Sequence, residues 1–279
     1  MIQIEDLTFT YKDEKAPALS EIRLTVPDGD FLGIIGPAGA GKTTLARAVS
    51  GIVPHHYSGD YYGSVRVNGL DTVDTPLIDI SRLVGMVFQN VDSQIISPIV
   101  EDEVLYGLEN FGVPREEIPG RIDYALGRVG ISDLRDRDVG SLSGGQRQKV
   151  AIASIIALRP GILVLDEPTG ELDPQSSRQI FSLLKELNEE QGVTVVIIEQ
   201  KIMLLCEFAK HLAVLSEGRI VRQGETRSVL AHAEELENFG VNCPRVTTLS
   251  RELSRRTGRD LPVCVNLDEA EQTVRGLLS

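Results

Sequence analysis

The segment "GPAGAGKTT", Gly36 to Thr44, constrains the fold more than any other part of the chain. It fits the pattern G-x-x-x-x-G-K-[ST], and it lies between an apolar run typical of a strand and a pattern typical of a helix. Such a loop turns backbone N–H groups around phosphate, and the positive end of the following helix points at the anion. A chance glycine turn is the alternative, but the flanking strand and helix argue against it.

The members of this loop have separate predicted tasks. Lys42 supplies a positive charge to the β and γ phosphates, and Thr43 offers its hydroxyl to Mg²⁺. The complete predicted phosphate-binding set is Gly36, Pro37, Ala38, Gly39, Ala40, Gly41, Lys42, Thr43 and Thr44.

Four short apolar runs predict the core sheet, at residues 31–35, 83–88, 162–165 and 193–198. Continuous apolar runs are typical of parallel strands buried on both faces. Polar residues follow each run, at the edge where open α/β sheets bind ligands. We therefore predict an α/β protein with a mainly parallel sheet.

Further strands are predicted at both ends of this core. "IQIEDLTFTY" alternates with period two, and "LSEIRLTVPDGDFLGIIG" is typical of two strands joined by a turn at Asp28 and Gly29. These segments predict an N-terminal antiparallel β subdomain. "HLAVLSEGRIVRQG" predicts a hairpin with its turn at Glu217 and Gly218.

The remaining chain divides by composition. Residues of about 90–160 carry mostly helical patterns and are expected to form a helical subdomain. After about residue 240, prolines and mixed charges replace the apolar runs. We predict one domain over residues 1–238 and a small C-terminal extension over 239–279.

Composition excludes several classes of protein. The net charge of −13 argues against a broad nucleic-acid-binding face, which needs basic surface. The three cysteines are widely spaced without a C-x-x-C pair, so disulfides and zinc are not expected.

The start of the chain lacks the plan of a signal peptide, and the longest apolar run, "VAIASIIAL", is too short to span a bilayer. Any membrane association is therefore expected to occur through a partner.

Acidic and amide residues at strand ends are the predicted catalytic groups. Asp166 ends one apolar run and is expected to hold Mg²⁺ through its water shell, while Glu167 orients or deprotonates an attacking water. A solvated acidic turn is the alternative, and the phosphate loop disfavours it. Gln89 ends another run, where its amide can contact both Mg²⁺ and the water.

Two aromatic or basic sites have competing interpretations. Tyr11 closes the first strand and is either a platform for an adenine ring or a half-buried strand aromatic. His55 and His56 are adjacent, without acidic or cysteine residues at ligand spacing, so we interpret them as loop residues and not as metal ligands.

The segment "LSGGQ" adds a second anion-binding loop, because a serine, two glycines and a helix start suit phosphate. Together with the phosphate loop, Gln89, "LDEP" and a following "LD", it makes residues 1–238 resemble the ATP-binding cassette family. The resemblance implies two cassettes paired head to tail, each binding ATP and Mg²⁺. Ser143, Gly144, Gly145 and Gln146 would act on the partner's ATP, and Asp173 would lie in the conserved loop after the acidic pair.

A narrower resemblance concerns three segments. "VFQNVDSQIISPIVEDEVLYGLEN", "GIVPHHYSGDYYGSVRVNG" and the C-terminal "PRVTTLSRELSRRTG" are similar to energy-coupling-factor importers of vitamins, cobalt or nickel. This implies a peripheral motor at the cytoplasmic face of the membrane, paired with the same or a second ATPase through the C-terminal extension. Its further partners would be a membrane scaffold and a substrate-capturing membrane subunit, with no nucleic acid.

Two other classes compete with a transporter motor. A soluble cassette ATPase of DNA repair, chromosome structure or translation would need a coiled-coil insertion, or a second cassette with a basic linker, and this acidic chain shows neither. A P-loop kinase or GTPase is less favoured, because neither needs "LSGGQ".

One position departs from the family pattern. Gln200 stands where the resemblance implies a histidine that contacts the γ-phosphate. An amide donates a hydrogen bond but carries no proton or charge near neutral pH, so we expect Gln200 to be a weaker catalytic group. Adequate replacement of histidine by the amide is the alternative.

Overall fold

The computed structural model describes residues 1–278. Its strands are β1 (Ile2–Tyr11), β2 (Leu19–Val26), β3 (Phe31–Ile35), β4 (Gly59–Val67), β5 (Leu70–Asp71), β6 (Val84–Val87), β7 (Ile162–Asp166), β8 (Thr194–Ile198), β9 (His211–Ser216) and β10 (Arg219–Glu225). Its α-helices are α1 (Lys42–Val49), α2 (Ile52–His55), α3 (Leu77–Leu83), α4 (Val100–Asn110), α5 (Ile118–Val129), α6 (Gly144–Ala157), α7 (Pro174–Gln191), α8 (Ile202–Phe208), α9 (Thr226–Leu230), α10 (Ala233–Asn238), α11 (Arg245–Thr257) and α12 (Leu267–Leu278).

The larger sheet contains six strands in the order β10-β9-β3-β8-β7-β6. All neighbours pair in parallel except β9 and β10, which form the predicted hairpin. The four predicted apolar runs supply β3, β6, β7 and β8, whose residues are buried throughout. The predicted parallel core is confirmed, and the carboxyl ends of these strands meet at one edge.

The smaller sheet is antiparallel, in the order β2-β1-β4-β5. It confirms the predicted N-terminal β subdomain. Asp28 and Gly29 join β2 of this sheet to β3 of the other, so the turn between them is a crossover and not a hairpin. The phosphate loop therefore begins at the end of β3, the first strand that the chain contributes to the larger sheet.

Two hydrophobic clusters cover the faces of the larger sheet. One lies between that sheet and the smaller sheet and includes Phe9, Leu45 and Val164. The other joins the opposite face to the helical block through residues such as Val104 and Val150. Helices α4, α5 and α6 thus share a hydrophobic cluster with the sheet.

The C-terminal extension packs through a small cluster of Val246, Cys264 and Ala270. Arg227, just before it, donates two hydrogen bonds to the Glu269 carboxylate, at 2.9 and 2.7 Å, and these attach α12 to the rest of the chain. Within residues 1–278, we find no helix with the length and apolar character needed to span a membrane.

Candidate nucleotide site

The phosphate loop connects β3 to α1, and close backbone contacts require glycine at two positions. A Cβ atom at Gly36 would lie 2.0 Å from the carbonyl oxygen of Leu215, and one at Gly41 would lie 2.4 Å from that of Ala18. Gly41 also has a φ of 98°, a conformation that residues with side chains rarely adopt. The glycines are therefore needed to fit this loop against the rest of the chain.

Lys42 points back into its own loop. Its Nζ donates to the carbonyl oxygens of Gly36 and Pro37, both at 2.8 Å. Burial lowers the pKa of Lys42, whereas the charges of Glu167 and Asp166 oppose that shift. The Lys42 ammonium is therefore close enough to the predicted acidic pair, Asp166 and Glu167, to be influenced by its charge.

Asp166 ends β7 and is only 1% exposed. Neither of its carboxylate oxygens has a hydrogen-bond partner within the described part of the chain. Burial raises the pKa of Asp166, and the neighbouring Thr43 hydroxyl opposes the rise. A buried carboxylate without partners, beside a hydroxyl, fits a hard cation such as Mg²⁺.

Glu167 lies between two neutral amides. Its carboxylate accepts hydrogen bonds from Nε2 of Gln89 at 3.0 Å and from Nε2 of Gln200 at 2.7 Å. Its backbone φ is 51°, and its N–H donates to the carbonyl of Ile198. The structure thus brings together the two predicted catalytic side chains, Glu167 and Gln200, and the predicted ATP- and Mg²⁺-contacting Gln89 at the ends of three adjacent strands.

Tyr11 contacts the phosphate-loop helix. Its hydroxyl lies 3.0 Å from Oγ1 of Thr44 and accepts a hydrogen bond from Arg47 at 3.2 Å. Its ring makes edge contacts with Phe9 and Tyr57. The residue is half-buried, and these contacts are compatible with both interpretations of its role.

A cavity of about 450 Å³ lies beside this region, lined by Thr43, Arg47, His56, Tyr57, Gln89 and Asp166 among others. His56 makes an edge contact with the ring of Tyr57. Nε2 of His55 lies 2.8 Å from the carbonyl oxygen of Thr72. The two histidines therefore have different surroundings.

A smaller cavity, of about 240 Å³, lies on another side of the phosphate loop. It is lined by the first loop residues, by Lys42, by Glu199 and Gln200 after β8, and by Gly240, Val241 and Asn242. The sequence did not indicate that the beginning of the C-terminal extension would border the predicted site.

The "LSGGQ" residues do not line either of these cavities in the described chain. Ser143 caps α6, and it forms a reciprocal pair with Gln146: each side chain accepts a hydrogen bond from the other residue's backbone N–H. Gly144 and Gly145 pack on Glu171, where a Cβ would lie 3.1 and 2.9 Å from its nearest atoms. These contacts fix the "LSGGQ" segment, called the signature loop below, at the start of α6, which we call the signature helix.

Gln148 is a residue that the sequence interpretation missed. It is 1% exposed, its Nε2 donates to the carbonyl oxygen of Glu167 at 3.1 Å, and its Oε1 accepts from the N–H of Glu171 at 3.2 Å. Gln148 therefore links the signature helix to the backbone of the acidic pair. Its place two residues after Gln146 was the available signal, but the distant partners were not visible in the sequence.

Glu199 and Lys201 were also missed. Glu199 accepts from the N–H and hydroxyl of Thr169, at 3.0 and 2.6 Å. Nζ of Lys201 donates to the carbonyls of Thr169 and Leu172 and to the hydroxyl of Ser177.

Asp173 caps α7. Its carboxylate accepts hydrogen bonds from the backbone N–H groups of Gln175 and Ser176, both at 2.9 Å. The hydrogen bonds from Ser176 lower the pKa of Asp173. The end of the loop after the acidic pair is thereby fixed at the start of a long helix.

A phosphate loop at a strand–helix junction of a parallel sheet, with an acidic pair at the end of another strand, defines a P-loop nucleotide-binding protein. The family model described as "ABC transporter" matches residues 19–170. The chain belongs to the ABC transporter family, and it is an ATP-binding subunit of an ABC transporter. The recognition of the family and the predicted fold class are both confirmed.

Individual relatives agree with this assignment. The energy-coupling factor transporter ATP-binding protein EcfA1 of Caldanaerobacter subterraneus subsp. tengcongensis is 40% identical over 94% of this chain and 94% of its own. The ATP-binding cassette MJ0796, solved as a dimer with ADP and Pi, superposes with a TM-score of 0.73, 29% identity, and coverage of 81% of this chain and 99% of its own. CbiO1 of Clostridium perfringens, part of the complex cbiONQ, gives a TM-score of 0.72 with 33% identity over 88% of this chain and 96% of its own.

Proposed function

We propose that this chain is the ATP-hydrolysing motor subunit of an energy-coupling-factor importer for a vitamin or a transition-metal ion. The observation that carries the catalytic part is the Glu167 carboxylate held by the amides of Gln89 and Gln200, next to an unpartnered Asp166. The 40% identity to an energy-coupling factor ATP-binding protein supports the transporter type.

The residues divide the chemistry of ATP hydrolysis among them. Lys42 leaves the loop carbonyls to pair with the β and γ phosphates, and backbone N–H groups of the loop bind the same anion. Asp166 and Thr43 would hold Mg²⁺, with Gln89 nearby. When bound, the ion would supply positive charge beside the phosphates.

Glu167 acts on water only when its carboxylate is available. Both of its oxygens now accept hydrogen bonds from amides. Each oxygen can accept a further hydrogen bond, so an attacking water can bind beside these donors, and movement of Gln89 or Gln200 exposes the base further. Tyr11 serves as the platform for adenine, and its hydroxyl contact with Thr44 holds its position.

Gln200 makes this site weaker than one with a histidine at the same place. Its amide already binds Glu167 at 2.7 Å and offers a neutral donor to phosphate. Charge-assisted hydrogen bonds are about twice as strong as neutral ones. We infer an asymmetric motor, in which this chain binds ATP well and a partner site hydrolyses it faster.

The signature residues Ser143, Gly144, Gly145 and Gln146 serve the ATP of a second cassette. They lie on a capped helix start away from the chain's own cavities, as a surface for a partner requires. The dimeric state of the MJ0796 structure supports pairing of this kind. The partner is the same chain or a second ATPase, and the extension over residues 239–279 contributes to the pairing.

A membrane scaffold subunit docks beside Gln89. Ile96 is 68% exposed there, and the carboxylate of Glu103 holds its loop by accepting from the N–H groups of Ile96 and Ser97 at 2.9 and 2.8 Å. Tyr106 extends this exposed apolar surface along α4. Movement of the scaffold would thereby reach Gln89 and the base beside it.

The chain lies at the cytoplasmic face of the cell membrane, held there by its partners, and a substrate-capturing membrane subunit completes the importer.

ATP affinity tests the nucleotide-binding part of this function. Lys42→Ala should abolish binding of ATP, whereas Lys185→Ala, a change of an exposed lysine on α7, should leave it intact. Undiminished ATP affinity in Lys42→Ala would remove the assigned site.

Purification of the native complex tests the transport assignment. We expect a second ATPase and membrane proteins to accompany the chain, together with a bound vitamin or metal ion. Recovery with nucleic acid or ribosomes, and without membrane proteins, would favour a soluble cassette ATPase of DNA repair, chromosome structure or translation.

A further inference from the structure

We propose that Asn242, from the C-terminal segment, donates a side-chain hydrogen bond to the terminal phosphate of ATP bound in the same chain. This inference rests on the proposed nucleotide site. It adds a ligand-binding residue from beyond residues 1–238, in a segment that neither the phosphate loop nor the signature loop includes.

The smaller cavity places Asn242 beside phosphate-binding groups. Its walls include the first residues of the phosphate loop, Lys42, Gln200 and the segment 240–242. The ammonium of Lys42 points toward this side, because it donates to the carbonyls of Gly36 and Pro37. A terminal phosphate that Lys42 and Gln200 both contact must therefore lie next to this cavity.

The segment is packed directly on the phosphate loop. A Cβ atom at Gly240 would lie 3.6 Å from Cβ of Pro37, which is an ordinary van der Waals contact. Gly240 has a φ of 76°, so its backbone turns in a way that favours glycine. The chain is thus directed past Pro37 toward the cavity.

Buried residues fix the chain on both sides of Asn242. Val241 is buried in the larger hydrophobic cluster, and its N–H donates to the carbonyl of Leu236 at 2.9 Å. Pro244 is buried and is the N-cap residue of α11. Asn242 is exposed between them, and its side chain has no hydrogen bond to another described residue. Its amide is therefore positioned by the backbone and free to donate.

The charge balance of the cavity also suits phosphate. Glu199 is the acidic residue in its lining, and its carboxylate is occupied by hydrogen bonds from Thr169, Gln200 and Lys201. The remaining polar groups are the Lys42 ammonium and the amides of Gln200 and Asn242. The lining side chains thus supply one positive charge and neutral N–H donors where an anion would enter.

The prediction that separates this role from a structural one is discrimination between ATP and ADP, because only ATP has the terminal phosphate. In Mg²⁺-free buffer, where turnover stops, ATP and ADP would each displace a fluorescent ADP analogue from the isolated chain. Asn242→Ala should weaken ATP binding by about tenfold, as expected for one hydrogen bond to a charged group, and leave ADP binding nearly unchanged. Asn242→Asp should weaken ATP binding further through charge repulsion. Asn238→Ala, an exposed asparagine at the end of α10 outside the cavity lining, is the matched control.

Equal weakening of ATP and ADP, or unchanged ATP affinity, in Asn242→Ala would overturn the proposal. Reduced pairing of cassettes with normal ATP affinity would also overturn it, since the residue would then contact a partner. Failure of the proposed function gives a different result: Lys42→Ala would bind ATP like the wild type, whatever the variants of Asn242 do.

Discussion

Glu167 is held at four points, which shows how the chain controls one side chain. Ile198 accepts from its N–H, Gln148 and the N–H of Gly170 donate to its carbonyl, and two amides bind its carboxylate. Its positive φ costs on the order of 1 kcal/mol, and such strain persists only where surrounding contacts impose it. The backbone of Glu167 is therefore fixed by backbone and buried contacts, whereas the position of its carboxylate depends on the side-chain amides of Gln89 and Gln200.

Removal of the buried link at Gln148 should misplace the base. We expect Gln148→Leu to lower kcat by about tenfold or more, since one or two hydrogen bonds of about 1 kcal/mol each are lost, and to change KM by little. Gln148→Asn keeps both functional groups on a shorter side chain and should restore part of the rate. The measurement is steady-state ATP hydrolysis by the assembled pair.

The control for this prediction is Ser154→Ala, which removes a buried hydroxyl farther along the same helix. If Gln148→Leu raises KM and leaves kcat unchanged, Gln148 does not position the base.

Gln200 is the second residue whose replacement should change the rate. Gln200→His should raise hydrolysis at this site by about ten- to a hundredfold, because an imidazole can carry positive charge near the developing phosphate charge. Gln200→Leu removes the amide that would donate to the phosphate and should lower the rate instead. Both variants are assayed in the assembled pair with the partner site inactivated. A site that already turns over at the partner's rate, and does not respond to histidine, would contradict attenuation.

At the scale of elements, the start of α6 satisfies two requirements at once. Gly144 and Gly145 allow the helix to lie against Glu171, whose backbone is held by Gln148. The reciprocal hydrogen bonds of Ser143 and Gln146 satisfy the N–H of the N-cap residue and the N–H of the third residue of the helix. The loop predicted to bind a partner's phosphate is thus also attached to the segment that carries Glu167, the proposed base.

This geometry permits a substitution that preserves the cap and alters only the charge. Aspartate is as good an N-cap as serine, so Ser143→Asp should fold normally, but its carboxylate would repel the partner's phosphate. In a Glu167→Gln background, where ATP should trap a closed pair, we expect Ser143→Asp to prevent pairing and to leave ATP binding by the single chain unchanged. Size analysis with ATP measures the pairing.

Ser141→Asp, an exposed serine before the helix, is the matched control and should still pair. Normal pairing of Ser143→Asp would show that this loop does not face a bound nucleotide.

At the scale of the whole molecule, the ion pair of Arg227 with Glu269 attaches the extension. The hydrogen bond from Arg227 lowers the pKa of Glu269 from its ordinary value of 4.5. A lowered pKa in the folded state means that the pair stabilises the fold above about pH 4.5, and that this contribution is lost as the pH falls through the lower value. Both side chains are partly exposed, so solvent limits the contribution to about 1 kcal/mol or less.

Glu269→Gln should therefore lower the unfolding midpoint at neutral pH, and the difference from the wild type should vanish in acid. Thermal unfolding between neutral pH and pH 3 measures this. Glu271→Gln, which breaks an exposed pair with Arg275 within α12, should have a smaller effect. A difference for Glu269→Gln that grows in acid would contradict the assignment.

The sequence predicted the strands well because each buried strand is a continuous apolar run, and strand-end residues of one parallel sheet meet at one edge. It did not predict that Asp28 and Gly29 join two different sheets, since strand pairing depends on distant segments. The same reason hid Gln148, whose partners lie 19 and 23 residues away. The place of Asn242 beside the phosphate loop could not be predicted either, because it depends on packing between the extension and Pro37.

The contacts of Lys42 have a kinetic consequence. Since its ammonium is bound by the carbonyl oxygens of Gly36 and Pro37, an arriving nucleotide competes with the protein's own backbone for the same cation. We expect association to have two steps, encounter and release of the lysine, and the observed rate to level off at high nucleotide concentration. The rate of ATP capture is then limited by the protein and not by diffusion.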